Sequence, residues 1–516
     1  MAAQDKRAIA FTGFMGAGKS EAARAAAAVL GEEAVDVDEE ISKRAGASIN
    51  EIFEREGESA FRRIEEEVTL ELLGRGGVLA LGGGAVESAP VRSALVEHVA
   101  VWCRVDEEVA WRRTRGTGRP LAADREEFGA RHASRHPLYE NVSRAVLPEG
   151  GRRSGADAAP WLAALRAHPA IRLAWAASAS GSYPAAVGNG ALRLLEDETV
   201  RARLPARRFV VADQAALRAH RAVLPEHEAL IEIRGDGPVK TMAEAERVLR
   251  ELAIAGARRD DSVLAFGGGV VGDLAGFCAS SYQRGVPLIQ APTTLVAQVD
   301  AAYGGKTGVD LPEAKNYVGA YHLPIAACAD PTTLQTLRGA ELAAGYAEVV
   351  KTGLIAGGRL WDQVRELESL DPGALEEIVF RCALTKLDVV AADERDSGRR
   401  AVLNLGHTVG HALEAATGYT RLRHGEAVGL GMLAALRLSG AAELRAEVEG
   451  LLARHELPTT LEGPLSIDDV IDSLGRDKKR TAEGVAFVLL ERPGEPREGR
   501  LVADTDVRAA VAELVA

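Results

Sequence analysis

Two sets of residues, far apart in the chain, have the types and spacings that chemistry requires. The first is Gly13-Phe-Met-Gly16-Ala-Gly18-Lys19-Ser20, a glycine-rich run that follows the strand-like Ile9–Phe11 and opens a helical stretch. In that context it is a P-loop: backbone N–H groups and the helix N-terminus cradle a phosphate chain, Lys19 neutralises β/γ oxygens and the Ser20 hydroxyl ligates Mg²⁺. The second set lies in the C-terminal half, where Asn404-Leu-Gly-His407-Thr-Val-Gly-His411 and His424-Gly-Glu-Ala427 offer imidazoles for a metal. Spacing alone pairs His407 with His411, because residues four apart on a helix form a two-ligand geometry. Ala347-Glu348-Val-Val-Lys351 sits in a helical stretch, and its three-residue spacing puts a carboxylate and an ammonium on one face.

Further motifs surround the P-loop. Val35-Asp36-Val-Asp38 ends the second strand-like run, where period-two geometry turns both carboxylates to one side, one for metal and one for a hydroxyl. Phe61-Arg62-Arg63-Ile-Glu65, Leu81-Gly82-Gly83-Gly84-Ala85, Gly118-Arg119-Pro120-Leu121 and Arg135-His-Pro137-Leu-Tyr139 follow in order. Read together from Ile9 to about Arg166, they resemble shikimate kinase. The resemblance implies that Asp38 contacts and deprotonates the acceptor hydroxyl and that Asp36 lies near Mg²⁺. It gives the substrate carboxylate to Arg62 and Arg135, whose bidentate geometry suits it. Arg119 would sit in a closing lid, Gly83 and Gly84 would approach the ring, and Arg113 would face the adenine.

The C-terminal set has its own surroundings. Gly267-Gly268-Gly269-Val-Val-Gly272-Asp273 follows the strand-like Val263–Phe266 and has the form of a phosphate-cradling turn. After it come Arg284-Gly285, Ala291-Pro-Thr293-Thr294, Gln298-Val-Asp300, Gly304-Gly305-Lys306-Thr307 and Lys315-Asn316, a run of cations and hydroxyls suited to a small polyanion. From about Ile171 to the C-terminus these motifs resemble 3-dehydroquinate synthase. The resemblance replaces the His407/His411 pairing: it implies that Glu348, His407 and His424 hold Zn²⁺ or Co²⁺, with His411 in the substrate and proton-handling shell. It gives phosphate and carboxylate to Arg284, Lys306, Lys351, Asn316, Lys386 and Arg400, with Asp300 and Asn404 as further substrate contacts. NAD⁺ falls to Asp213, Lys240, Gly268, Gly269, Asp273, Thr293, Thr294 and Lys315. The implied chemistry is oxidation of a substrate hydroxyl by NAD⁺, phosphate elimination, return of the hydride and an internal aldol closure. Three positions depart from the family pattern. Asp236 in Gly235-Asp236-Gly237-Pro-Val-Lys240 is one place out of step with the usual acidic residue, Ala314 replaces a glycine before Lys315, and Lys478 and Lys479 compete for one role.

These residues need elements to hold them. The first third alternates short apolar runs with Ala- and Glu-rich helical stretches, the pattern of βαβ units around a parallel sheet. A second α/β unit begins at Ile171, and beyond about Ala340 the chain turns almost wholly helical until Val485–Leu490. The expected fold is therefore α/β: a P-loop kinase domain over 1–168, an α/β nucleotide-binding domain over 171–335 and an all-α metal-binding domain over 336–516. At 516 residues, 47% of them hydrophobic, each can bury a core. A net charge of −13 argues against nucleic acid and anionic membrane as partners. The four cysteines form no Cys-x-x-Cys pair, which fits neither a disulfide framework nor a thiolate zinc site. With no signal-peptide pattern and no membrane-length apolar run, the expected location is cytoplasmic.

The expectation is a bifunctional enzyme of aromatic amino-acid biosynthesis. It would phosphorylate shikimate with MgATP and cyclise a seven-carbon sugar-acid phosphate with NAD⁺ and metal, as a homodimer through the cyclase half. Rival readings are a related sugar-phosphate cyclase with another substrate and a polyol dehydrogenase, which would not need the phosphate-binding cations. A third makes the N-terminal part a nucleotide-binding module that transfers no phosphoryl group.

Overall fold

The computed structural model describes residues 7–116, 120–122, 124–234, 239–463, 465–475, 480–481 and 484–515. Contacts between Cα atoms divide the chain into two units. One is Met1–Ala177 with Ser182–Ala186 and Arg193–Ala206; the other is Ser178–Gly181 with Val187–Leu192 and Arg207–Ala516.

The short apolar runs of the first unit form strands β1 (Ile9–Thr12), β2 (Ala34–Asp36), β3 (Val78–Ala80), β4 (Val99–Cys103), β5 (Ala145–Leu147), β6 (Arg172–Ala177) and β7 (Ser182–Val187). They lie in the order β2-β3-β1-β4-β5-β6-β7, and the pairs from β2 to β6 are parallel. β1, β3, β4 and β5 are buried along their whole length, as a parallel sheet covered on both faces requires. Strands β6 and β7 lie beyond residue 171. They group with the first unit because Leu173 and Ala174 pair with Ala145 and Val146.

Four helices of this unit bear on its site: α1 (Lys19–Leu30), α2 (Glu58–Arg75), α3 (Arg125–Val142) and α4 (Gly151–Leu165). The Ala-rich face of α1 lies so close to α4 that a β-carbon on Gly155 would stand 2.3 Å from the Ala22 carbonyl oxygen. One local expectation fails. β2 stops at Asp36, and Asp38 lies in the first turn of the helix Val37–Ala45, so period-two geometry does not relate the two carboxylates. The cause is Asp36 itself, whose Oδ1 accepts from the Asp38 and Glu39 amides at 3.1 and 3.5 Å and caps the new helix.

In the second unit β8 (Arg208–Asp213), β9 (Ala229–Ile233), β10 (Ser262–Gly267) and β11 (Leu288–Pro292) make a parallel sheet with β14 (Ala326–Ala329), ordered β14-β11-β10-β8-β9. β12 (Lys306–Leu311) and β13 (Ala314–Tyr321) form an antiparallel hairpin. Helices α5 (Met242–Ile254) and α6 (Gly269–Ser281) cover the sheet through a core that includes Phe209, Val211, Ile231, Val263, Leu252, Leu274 and Leu288. Each such side chain stabilises the fold by about 1.5–3 kcal/mol when fully buried. The remainder is mainly helical, with α7 (Gly339–Ala356), α8 (Pro372–Ala392), α9 (His407–Ala416) and α10 (His424–Leu438) around the second site. α7 is buried on every side from Ala343 to Ile355, its charged Glu348 and Lys351 included. A small antiparallel sheet contains Gly484–Leu490 and Pro496–Val502. Among the described residues no helix is long and apolar enough to cross a membrane.

Candidate active sites

In the first unit the loop between β1 and α1 turns through Gly13, Gly16 and Gly18 at φ of 141°, 79° and 79°. Gly13 cannot carry a side chain, since a β-carbon there would lie 2.4 Å from the Cys103 carbonyl oxygen. Gly18 caps α1 without a side-chain hydrogen bond, so no capping side chain stands at the helix N-terminus where an anion would sit. Lys19 Nζ donates to the Phe14 carbonyl at 3.1 Å, and Ser20 Oγ donates to Asp36 Oδ2 at 2.5 Å, so the hydroxyl and carboxylate expected near Mg²⁺ touch. Arg113 arches over the loop, 3.1 Å from the Gly16 carbonyl oxygen and paired with Glu149.

The Gly82–Gly84 turn draws the acceptor-side residues together. A β-carbon on Gly82 would meet Glu65 Oε1 at 2.0 Å and Asp38 Oδ1 at 3.0 Å; on Gly83 it would stand 3.9 Å from Lys19 Nζ; on Gly84, 2.0 Å from Arg62 Nη1. Arg62, on α2, pairs with Glu65 at 2.5 Å and Glu58 at 3.0 Å. Arg135, on α3, is buried against Glu87, with its Nη1 3.4 Å from the Gly83 carbonyl oxygen, to which the Tyr139 hydroxyl also donates at 2.5 Å. Burial pushes the Glu65 carboxyl up, against the opposing pull of Arg62. Glu65, Glu87 and Tyr139 had no assigned role in the sequence; the i, i+3 spacing of Arg62 and Glu65 was the available signal. Arg119 lies outside the described residues.

The second site is built on four helices and one π-helical turn. Glu348 on α7, His407 at the start of α9 and His424 at the start of α10 bring one ligand atom each to within 4.8 Å of one another. His424 Nε2 is 3.3 Å and His407 Nε2 3.7 Å from Glu348 Oε1. His411, Glu414 and His424 form a second such group, and His407 does not belong to it. The helix spacing of His407 and His411 thus leaves their ring centroids 5.2 Å apart, with each in a different set. Both carboxylate oxygens of Glu348 are buried and accept no well-formed hydrogen bond, although Lys351 Nζ stands 2.5 Å away. A buried carboxylate with unused lone pairs, facing two imidazoles, fits a divalent cation. His424 Nδ1 lies 3.5 Å from Glu414 Oε2, and Lys315 Nζ is 3.4 Å from Glu414 Oε1. Nothing in the sequence marks Glu414, a carboxylate three residues past His411, as a partner for His424.

Charge balance accounts for the electrostatics. Burial opposes ionisation of Glu348, but Lys351, His424 and His407 outweigh it and hold the carboxyl well below its usual range. Burial, aided by Lys351, holds His407 well below the usual histidine range. For His424 burial acts the same way, yet Glu348 and Glu414 raise it to about 9. Lys351 Nζ also pairs with Asp300 Oδ2 at 2.9 Å, and Lys386 pairs with Asp300 Oδ1. Asp300 stands on the π-helical turn Ala297–Ala301, a distortion frequent at functional sites. Burial pulls Lys386 down despite Asp300.

Other predicted residues lie around these. Arg400 is buried and donates to the Glu394 and Gly304 carbonyls at 2.7 and 3.1 Å, which clamps the Gly304–Gly305 turn; its Nε has no partner among the described residues. Lys306 pairs with Asp396. Arg284 is exposed at φ 69°, a strained position for a residue with a side chain. Asn404 ends the short turn Arg399–Asn404 that precedes His407.

Toward the sheet, Gly268 caps α6 with no side-chain hydrogen bond, leaving amides free for a phosphate. A β-carbon on Gly267 would meet Asp213 Cβ at 3.0 Å, on Gly268 Thr294 Cγ2 at 3.0 Å, and on Gly269 Ala301 Cβ at 3.2 Å, so the turn is tightly enclosed by its neighbours. The Thr293 amide donates to the Gly267 carbonyl at 2.9 Å. Lys240 Nζ pairs with Asp273 Oδ2 at 2.5 Å and also donates to Asn316. Asp236, Lys478 and Lys479 lie outside the described residues. All four cysteines are free and buried, and burial pushes the thiols of Cys103, Cys278 and Cys328 up to about 12, so none is a nucleophile at neutral pH.

Residues 345–480 match the family described as 3-dehydroquinate synthase C-terminal, residues 230–344 that described as 3-dehydroquinate synthase N-terminal, and residues 15–166 shikimate kinase. A 3-dehydroquinate synthase of Symbiobacterium thermophilum is 45% identical over 293 residues, covering 55% of this chain and 79% of the relative. A solved structure of 2-epi-5-epi-valiolone synthase from Streptomyces hygroscopicus subsp. jinggangensis, with NAD⁺ and Zn²⁺ bound, is 28% identical with a TM-score of 0.57 over 64% of this chain and 96% of that one. One of 2-deoxy-scyllo-inosose synthase, complexed with carbaglucose-6-phosphate, NAD⁺ and Co²⁺, is 24% identical with a TM-score of 0.60 over 66% and 99%, a likeness of fold.

Proposed function

Since the chain belongs to the 3-dehydroquinate synthase family and carries a shikimate kinase segment ahead of it, we propose that it catalyses two reactions of the shikimate pathway. One is ATP-dependent phosphorylation of shikimate to shikimate 3-phosphate. The other is NAD- and metal-dependent cyclisation of 3-deoxy-D-arabino-heptulosonate 7-phosphate to 3-dehydroquinate with phosphate release. The proposed domains are 1–168, 171–335 and 336–516; the shikimate kinase match over 15–166 and the C-terminal synthase match over 345–480 lie inside the first and third, while the N-terminal synthase match over 230–344 runs nine residues past the end of the second.

In the kinase half, the P-loop amides and Lys19 hold the β/γ phosphates, with Arg113 on the adenine side. Ser20 and Asp36 hold Mg²⁺, which when bound neutralises charge on the phosphate oxygens. Asp38 accepts the proton of the attacking hydroxyl, from a position beside Gly82 that the Glu65 carboxylate also borders. Arg62 and Arg135 orient the acceptor by its carboxylate, and Arg119 closes over the transferring group.

In the cyclase half Glu348, His407 and His424 hold Zn²⁺ or Co²⁺. When bound, the cation supplies Lewis acidity at a substrate hydroxyl and NAD⁺ a reversible hydride acceptor. Asp213, Lys240, Gly268, Gly269, Asp273, Thr293, Thr294 and Lys315 hold the dinucleotide. Lys351, Lys386, Lys306, Asn316, Arg284 and Arg400 bind phosphate and carboxylate, with Asn404 on the substrate. Asp300 fixes Lys351 and Lys386 before substrate arrives, so two ammoniums are already desolvated and oriented. His411, beside His407 and His424, moves protons. Lys306 must exchange Asp396 for substrate, at little cost because that pair is half exposed.

The single observation that carries this reading is the buried Glu348 carboxylate, ion-paired to Lys351 through Oε2 and with Oε1 aimed at His407 and His424. The purified full chain should release phosphate from the heptulosonate phosphate only with NAD⁺ and a divalent metal. It should form ADP faster when shikimate is added. Phosphate release that survives both chelation and NAD⁺ removal would contradict the reading. A homodimer through the cyclase half is part of the proposal, and sedimentation of the full chain and of Arg207–Ala516 tests it.

A further inference from the structure

Arg135 and Arg62, the guanidiniums proposed to hold the acceptor's carboxylate, already face a carboxylate of the chain itself. Glu87 takes Arg135 in a fork, with Nε 3.0 Å from Oε1 and Nη2 2.9 Å from Oε2, and Arg62 Nη2 stands 3.7 Å from the same Oε2. Two parallel N–H···O bonds are the geometry by which a guanidinium recognises any carboxylate, so Glu87 occupies the place an acceptor's carboxylate would take. The two partners differ in freedom. The Arg135 side chain is 2% exposed and that of Glu87 40%. Arg135 is further held by the Gly83 carbonyl oxygen at 3.4 Å and by packing 5.9 Å from the Phe14 ring centroid. The guanidinium is thus a fixed wall, and the glutamate, at the end of the short turn Ala85–Glu87, is the partner that can swing out. Arg62 keeps Glu65 and Glu58 in either case.

We propose that Glu87 sets this enzyme's affinity for its acceptor, as an internal carboxylate that the acceptor's own carboxylate must displace from Arg135 and Arg62. The proposal rests on the kinase reading and on the assignment of those two arginines. A buried arginine left without a counter-ion is costly, so in the empty site Glu87 keeps Arg135 neutralised and in place. An acceptor bearing a carboxylate exchanges one charge-assisted pair for another. A neutral carboxamide offers Arg135 one uncharged acceptor in place of a charge-assisted fork and so displaces Glu87 far less. If the self-paired state is populated at about 90%, the apparent affinity for the acid falls about tenfold.

Steady-state ADP formation by the full chain, with shikimate and with its carboxamide, tests this in wild type, Glu87→Gln and Glu87→Ala. Both replacements change a side chain that is 40% exposed. The expected result is a KM for shikimate about tenfold lower in both variants, with the KM for the carboxamide moved far less. A KM for shikimate that rises would mean that Glu87 orients Arg135 for the substrate, and it overturns the proposal. Equal changes for acid and carboxamide overturn it too. Failure of the kinase reading looks different: ADP formation would be insensitive to shikimate in all three proteins, and the proposal would fall with it.

Discussion

Replacing Asp300 by Asn removes the charge that joins two buried ammoniums while keeping size and hydrogen-bonding capacity. Lys351, 1% exposed, retains Glu348 at 2.5 Å, but Lys386, with its side chain 11% exposed, loses its only ion-pair partner among the described residues. Leaving a buried charge uncompensated costs about 3–5 kcal/mol. For a unit of this size that is a fall in Tm of roughly 10 °C. Calorimetry of the full chain should show the transition of the second unit lowered and that of the first unmoved, since sites that share no partners act independently. Lys386→Met in the same background should recover part of the loss by removing the orphaned charge. The pH dependence has a definite sign. Burial opposes ionisation of Asp300, but Lys351 and Lys386 hold its carboxyl well below the usual range. Its contribution is therefore complete above the ordinary carboxylate pKa of about 3.9 and is lost as pH falls through the folded value. The gap between wild type and Asp300→Asn should be full at pH 7 and narrow below about pH 4. A loss under about 1 kcal/mol at pH 7, or a gap that does not change with acid, would mean that Asp300 does not hold the two ammoniums in the folded state.

Gly425→Ala should scatter the metal trio, because its β-carbon would lie 1.8 Å from the Ala344 carbonyl oxygen and must push α10 from α7; equilibrium dialysis should show zinc affinity down at least tenfold. Gly82→Ala puts a methyl 2.0 Å from Glu65 Oε1 and 3.0 Å from Asp38 Oδ1, and shikimate-stimulated ADP formation should fall about 100-fold with the melting profile retained. Asp36→Ala removes both the cap of the helix Val37–Ala45 and the Ser20 partner, which should lower stability by about 1 kcal/mol in denaturant titration and raise the KM for MgATP. Treatment with a strong chelator followed by excess Mg²⁺ should silence phosphate release from the heptulosonate phosphate while shikimate phosphorylation continues.

The sequence made the anion-binding loops legible because glycine pattern, preceding strand and following helix constrain one another locally. That is why Gly13–Ser20 and Gly267–Gly269 lie where the spacing put them. Pairings across long separations were legible only through resemblance. Spacing joined His407 to His411, whereas the fold packs α7, α9 and α10 so that Glu348, His407 and His424 meet. Local chemistry also overrode period. Asp36 caps a helix and carries Asp38 off the strand, an outcome that Asp-x-Asp alone does not distinguish from two carboxylates on one strand face. Counter-ions were the least visible group. Glu65, Glu87 and Glu414 are ordinary glutamates in a chain rich in them, and only packing reveals that each faces a functional cation or imidazole.

The most direct test of the metal-dependent cyclase is the metal content of the purified full chain, measured by plasma mass spectrometry beside Glu348→Gln, His407→Ala and His424→Ala. The wild type should hold one divalent ion of the zinc or cobalt type tightly, and all three variants should lose it while shikimate-dependent ADP formation persists. Metal content that is the same in the four proteins would contradict this ligand assignment.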